Sequence, residues 1–343
     1  MKAIVKTDQA AGSFAVKDMP VPQPKPTEVL VQIKATGLCY TDMSILNGQY
    51  KGRKPVPIPM VMGHEGAGVI VEVGEEVSTL EVGQRVGFEA LGGCGKCYNC
   101  RTGNKNMCTD WNHIGITYDG TFAEYMVISE DLVHVLPENV EFADAALLEP
   151  LGLVVRSIEH VQPVIGESAV IVGPGTVGLL HLQALVAAGV SKLIVVGLDI
   201  DKIRFGIAEK LRATHIVNAS KEDPVEAVLD ITNGRGTDIV IETASSPKVW
   251  DILLDLAAAK GRISSFGLYP ESNFKPLALI RKGVTIYGDV AFLQRHFIRA
   301  IGWLESGKVS GQALVTKRFT LEQAEEAFEA FKHKETVKCL FEP

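Results

Sequence analysis

The chain has 343 residues, 46% of them hydrophobic and 22% charged, and a net charge of −7. That length exceeds one typical core and predicts two domains. The acidic balance, without any lysine or arginine cluster, excludes a nucleic-acid surface, and no repeat or low-complexity tract points to a solenoid or a disordered chain.

Residues 1–20, MKAIVKTDQAAGSFAVKDMP, hold no long apolar stretch and no cleavage pattern, so no signal peptide is expected. The stretch ESAVIVGPGTVGLLHLQALVAAGV is broken by Gly, Pro, Glu, His and Gln. It falls short of the about 20 consecutive apolar residues that a membrane span needs. The expected compartment is the cytoplasm, where thiols stay reduced.

The first chemistry-bearing segments are GLCYTDMS, with Cys39, Thr41 and Asp42, and VMGHEGAGVI, with His64 and Glu65. Neither carries weight alone. Together they offer thiolate, imidazole and carboxylate, a three-ligand set for a catalytic zinc with its fourth position open. The loop GFEALGGCGKCYNCRTGNKNMC then brings Cys94, Cys97 and Cys100 at C-x2-C-x2-C spacing, closed by Cys108. Four thiolates in one short loop suit a structural zinc; an iron–sulfur cluster is the other metal that thiolates hold. Lys96, Arg101 and Lys105 offset part of the thiolate charge. ALLEPLG adds Glu149, either a further metal ligand or a first-turn acid of the helix LGLVVRSIEHV, where the helix dipole favours it.

Residues 168–190 predict strand, glycine turn and helix. Ala169–Val172 is an apolar, β-branched run, and Gly173, Gly175 and Gly178 form G-x-G-x-x-G, with Thr176 and Val177 inside it, opening a helix that ends at Gly189. In that setting the glycines let the backbone approach a dinucleotide pyrophosphate at the helix N-terminus. The acid expected about 20 residues on is Asp199, which favours NAD. Arg204 nearby keeps NADP possible. Strands are expected at KLIVV, THIVN, TDIVIETA, GRISSFG and VTIYGDV, giving a doubly wound parallel sheet over roughly 151–289. VTIYGDV is a candidate sheet edge. Cys339, in VKCLF, is expected to be a buried strand residue. Arg295 and His296 are expected at the surface, and His113, His134 and His160 have no partner pattern.

These motifs occur in an order that resembles the zinc-dependent medium-chain alcohol dehydrogenase family. The resemblance runs the length of the chain: GLCYTD, GHEGAGVIVEVG, VGQRVGFE, the four-cysteine loop, DGTFAEY, ALLEPLG, GPGTVG and SGKVSGQALVTKRFTLEQAEEAFEAF. It implies a GroES-like, β-rich catalytic domain over 1–150 that carries the structural-zinc lobe, a Rossmann NAD(P)-binding domain over 151–289, and a return to the catalytic domain over 290–343. The site would lie in the cleft between the domains. Glu65 and Glu149 are similar to the polyol (sorbitol-type) and threonine dehydrogenase branches. The resemblance implies two zinc ions per chain. Cys39, His64 and a carboxylate, Glu65 or Glu149, would hold the catalytic one, with Asp42 orienting His64. Thr41 would pass the proton onward.

Two departures stand out. Ser44 occupies a position where family members often carry a relay histidine, and Ala291 or Phe292 falls where sorbitol dehydrogenases have an arginine. The expected activity is oxidation of a secondary alcohol or polyol to a ketone with NAD(P). The alternatives are an L-threonine-type amino-alcohol dehydrogenase and, in another class, a non-catalytic cofactor-binding scaffold. Expected partners are a small alcohol and further copies of the chain, as dimer or tetramer, with neither nucleic acid nor membrane.

Overall fold

The computed structural model describes residues 1–244, 246–288 and 290–343. The chain divides into two compact units, one made of Met1–Gly152 with Ala291–Pro343 and the other of Leu153–Val290.

The first unit is built on a seven-stranded sheet. Its long strand, Glu28–Gly37, pairs antiparallel with Glu65–Val73, with Tyr125–Ser129 and, at its far end, with Lys338–Phe341. Val315–Phe319 lies parallel beside Lys338–Phe341, and Arg85–Phe88 and Val133–Val135 continue the other side. A smaller sheet of Phe14–Asp18, Lys2–Lys6 and Met60–Val61 packs with it. Cys339 is fully buried in its strand, as the apolar VKCLF context implies.

Register decides what meets at one end of this sheet. Gly37 stands opposite Glu65 on one side and Leu340 on the other. A Cβ on Gly37 would overlap the Glu65 carboxylate and lie 2.7 Å from Lys338 Cε. The missing side chain is the gap through which Lys338 reaches Glu65.

A second set of glycines fixes the residue before that strand. Gly63, at φ +91°, turns the chain directly into His64. The backbones of Gly115 and Gly120 press against it so closely that a Cβ on either would overlap the Gly63 carbonyl. Thr121 N–H donates to that carbonyl at 3.0 Å, and Gly120 N–H donates to Val61 at 2.9 Å.

The second unit is a six-stranded, all-parallel sheet in the order His215–Asn218, Lys192–Gly197, Ser168–Val172, Thr237–Glu242, Ala257–Ser265, Thr285–Gly288. This is the expected doubly wound sheet. The central strands carry continuous apolar runs, Ala169–Val172 and Ile239–Ile241, as strands covered by helices on both faces do. Strand order reverses on either side of Ser168–Val172, and in such sheets ligands bind beyond the carboxyl ends of the strands at that point. The glycine loop follows that strand. Thr285–Gly288 is an edge strand, as VTIYGDV suggests; Asp289 lies outside the described residues.

One surface expectation fails. His296 is fully buried, its Nδ1 accepting the Leu293 N–H at 3.0 Å at the start of helix Gln294–Glu305. It shares the buried face of that helix with Phe297, Ala300, Ile301 and Leu304. Arg295, one residue earlier, is exposed.

Gly120→Ala forces the backbone of residues 62–64 away and should cost on the order of 3 kcal/mol as an overpacked contact. Urea unfolding should show the midpoint fall, with His64 displaced and activity lost. An unchanged midpoint would mean the three-glycine contact is not tight in solution.

Candidate metal and cofactor sites

Cys39 caps helix Tyr40–Leu46 at its N-terminus, and its own N–H donates to Asp42 Oδ2 at 2.9 Å. Asp42 is fully buried, with Oδ1 3.3 Å from His64 Nδ1. That leaves Nε2 as the free ligand atom of His64. Ligand atoms of Cys39, His64 and Glu65 all lie within 4.8 Å of one another. Glu149 is outside this set. It is the second residue of helix Leu148–Val161, close enough to feel the charges of His64, Glu65, Lys338 and Asp42.

Lys338 is 2% exposed and forms an ion pair with Glu65; its Nζ also donates to the Leu38 carbonyl at 3.0 Å. Nothing in the local sequence VKCLF marks it. Three carboxylates and a thiol therefore cluster with one ammonium, Asp42, Glu65 and Lys338 buried and Cys39 and Glu149 half-buried. The strain shows in the protonation of the neighbours. Burial lowers the His64 pKa, but the charges of Asp42 and Cys39 outweigh it and hold the ring well above its ordinary value. Burial, reinforced by Glu65, pushes Glu149 up to about 7. Excess negative charge and clustered S, N and O donors together fit a divalent cation.

Thr41 and Ser44 sit half-buried on the helix that follows Cys39, three residues apart and so on one side of it. His113, 9% exposed, packs edge-on to His64 with ring centroids 5.6 Å apart. Burial pulls its pKa down to about 3, helped by the nearby His64.

The four cysteines Cys94, Cys97, Cys100 and Cys108 are unpaired as disulfides, and their sulfurs all lie within 4.8 Å. Cys97 and Cys108 Sγ are 3.8 Å apart. A tetrahedral ion with Zn–S bonds of about 2.3 Å sets its sulfurs roughly 3.8 Å apart, whereas a disulfide needs about 2.05 Å. So tight a set surrounds one ion and leaves no room for a cluster whose cysteines ligate separate irons. Cys97 caps helix Tyr98–Arg101, and the Cys100 N–H, joined by that of Thr109, lowers its pKa to about 6. Lys105 does not serve the thiolates as expected: its Nζ pairs at 2.7 Å with buried Glu89, which His134 Nε2 meets at 3.0 Å. This triad ties the loop to the sheet.

In the second unit, Gly173 adopts φ +101° where a side chain would strike Ala244, and Gly178 backs onto the Gly173 carbonyl. Gly175 instead faces open space and precedes helix Thr176–Ala187. A tight turn, an open approach and a close helix packing are the three tasks that a pyrophosphate-binding loop asks of its glycines. Asp199 follows strand Lys192–Gly197 with its side chain 61% exposed, accepting from Asn218 Nδ2 at 2.6 Å and facing Lys221 Nζ at 3.4 Å. Arg204 is engaged by Asp201 at 2.9 Å.

The comparisons with known proteins agree with this chemistry. Residues 25–138 match the alcohol dehydrogenase GroES-like domain, and residues 176–306 match the zinc-binding dehydrogenase domain. A sorbitol dehydrogenase of Halalkalibacterium halodurans is 33% identical over 346 residues, covering 100% of this chain and 99% of its own. An L-threonine 3-dehydrogenase of Pyrococcus abyssi is 36% identical, covering 99% and 98%. Among solved structures, 2R,3R-butanediol dehydrogenase of Bacillus subtilis superposes with a TM-score of 0.90 at 28% identity, covering 100% and 99%. An alcohol dehydrogenase of Escherichia coli CFT073 complexed with NADH gives 0.91 at 28%, with the same coverage.

Lys338→Met strips Glu65 of its buried partner and should destabilise by about 3–5 kcal/mol, read by chemical denaturation; adding Glu65→Gln should recover much of the loss. Raised from 4.5 to about 7, Glu149 binds its proton more tightly folded than unfolded. Zinc-free protein should therefore lose stability as pH climbs through that window, and Glu149→Gln should flatten the loss. A pH-independent stability in the zinc-free parent would contradict the buried neutral carboxyl.

Proposed function

The chain belongs to the zinc-dependent medium-chain alcohol dehydrogenase family, and from that premise we propose that it oxidises a neutral secondary alcohol of the polyol or diol type to a ketone, with NAD as hydride acceptor. The observation that carries the substrate class is the commitment of Lys338. It is the buried cation beside the ligand set, and it is spent on Glu65 and on the Leu38 carbonyl. With Zn2+ present, Cys39, Asp42, Glu65 and Glu149 balance or exceed the positive charge, so the pocket offers a substrate carboxylate nothing. Threonine, the second reading, carries one.

Cys39, His64 and Glu65 would hold the catalytic zinc, with Glu149 the adjacent carboxylate; Cys94, Cys97, Cys100 and Cys108 would hold the structural one. When bound, zinc acts as a Lewis acid that lowers the pKa of the substrate hydroxyl, and the nicotinamide accepts the hydride. Asp42 fixes the His64 ring by engaging Nδ1. Thr41 Oγ1 takes the hydroxyl proton and Ser44, on the same helix side, leads it toward water, so that the alcohol loses one hydride and one proton in all. Gly173, Gly175, Thr176, Val177 and Gly178 cradle the pyrophosphate. Asp199 accepts from the ribose hydroxyls, which favours NAD, since an exposed carboxylate repels a 2′-phosphate and Arg204 is already paired with Asp201.

No helix among the described residues is long and apolar enough to cross a membrane. Six unpaired cysteines favour a reducing, cytoplasmic setting. The edge strand Thr285–Gly288 suits pairing with a second copy of the chain as a homodimer or homotetramer.

Cys39→Ala should cut turnover at least about 1000-fold, lower elemental zinc from two per chain to one, and leave the melting temperature near that of the parent. Cys97→Ser should instead lower the melting temperature. Retention of full activity by the Cys39 variant would end the ligand assignment. Initial rates with NAD and NADP on sorbitol, xylitol, butane-2,3-diol, butan-2-ol and L-threonine test the substrate. Preference for threonine would overturn the polyol reading.

A further inference from the structure

His113 has a ring beside the ligand set and no task in the mechanism so far. Its Nδ1 lies 2.8 Å from the Ile114 carbonyl. A carbonyl only accepts, so Nδ1 carries the proton and Nε2 presents a lone pair. That lone pair has no hydrogen-bond partner among the described residues, and unlike His181 Nε2 it is not sealed away from solvent. The ring is clamped edge-on between two others, His64 at 5.6 Å and the buried Trp111 at 5.8 Å, with 88° between the His113 and Trp111 planes. A rigid acceptor thus sits one ring away from the ligand whose Nε2 would face the metal.

Resting on the reading of the site given above, we propose that His113 is a specificity-determining residue whose Nε2 accepts a hydrogen bond from a second hydroxyl of the substrate, on the carbon next to the one oxidised. An acceptor of this kind rejects carboxylates and ethers, which cannot donate to it. It also disfavours an ammonium, which the nearby divalent cation repels. What remains is a neutral donor, and a second hydroxyl close to the reacting one is the neutral donor that a diol or polyol brings. Vicinal diols and polyols are selected over simple alcohols because only they replace, with a hydroxyl donor, the solvent that the bound substrate displaces from this lone pair.

The test compares kcat/KM for butane-2,3-diol and butan-2-ol in the zinc-loaded enzyme and its His113→Leu and His113→Gln variants, with zinc content and melting temperature as controls. Loss of the acceptor in His113→Leu should lower kcat/KM for the diol by about 10- to 100-fold and leave butan-2-ol within about threefold. His113→Gln, which keeps an acceptor oxygen at similar reach, should restore most of the diol rate. Equal losses on both alcohols, or none on either, overturn the proposal. So does a shift in the pH profile for butan-2-ol, which would make His113 a proton carrier. A parent enzyme that oxidises butan-2-ol or threonine but no diol or polyol overturns the proposal and the polyol reading together. A diol-selective parent with a diol-selective His113→Leu variant sinks this inference alone.

Discussion

A lysine buried to within 2% of its surface keeps its charge only where a carboxylate meets it, and Lys338 meets Glu65. The pair holds because Gly37, in the strand between them, has no side chain to obstruct it. The contact joins three strands at one end of the first unit's larger sheet. Burial works against the Lys338 charge, yet the Coulombic pull of Glu65, with that of Cys39, raises its pKa above the ordinary value. The same carboxylate is one of the three donors that cluster within 4.8 Å. One acid thus serves as a structural counter-ion and as part of a cation site. This explains why the pocket is over-supplied with negative charge: a metal site that also carries an internal ammonium needs an additional carboxylate.

How legible each part was depended on how local its physics is. The strand, glycine turn and helix over 168–187 could be read directly, because the β-branched run, the three glycines and the apolar helix are contiguous. The four-cysteine loop was legible for the same reason, its donors lying within fifteen residues. Cys39 and His64 are 25 positions apart, and they came together only through the order of motifs along the whole chain. Between Glu65 and Glu149 the residues themselves gave no choice; the register sets Glu65, opposite Gly37, within 4.8 Å of the Cys39 and His64 donor atoms, a proximity that no local pattern announces.

Other features were hidden or misread. Lys338 contacts Leu38 across 300 residues, and no local pattern announces a lysine that will be buried by a strand so distant. Lys105 stands among the cysteines in sequence but turns toward Glu89, a fully buried carboxylate that would otherwise lack a counter-charge. His296 is a different kind of miss. The spacing of Phe297, Ala300, Ile301 and Leu304 defines an apolar helix face, and the histidine falls on it, so helical periodicity would have placed it inside. His113 has a fixed tautomer only because the Ile114 carbonyl turns toward it, a loop geometry that no residue pattern encodes.

The two units also differ in when they can exist during synthesis. Leu153–Val290 is continuous, and all six of its parallel strands are available once its own residues have left the ribosome. The other unit takes Lys338–Phe341 between Glu28–Gly37 and Val315–Phe319. Until that strand is made, Glu65 has no ammonium partner and the sheet end that gathers Cys39, His64 and Glu65 stays open. The continuous unit can therefore fold without waiting for later residues, while the sheet end that carries Glu65 depends on a contact of very high sequence separation. The thiolate–imidazole–carboxylate cluster therefore gains its ammonium counter-charge only after residues 338–341 have been made.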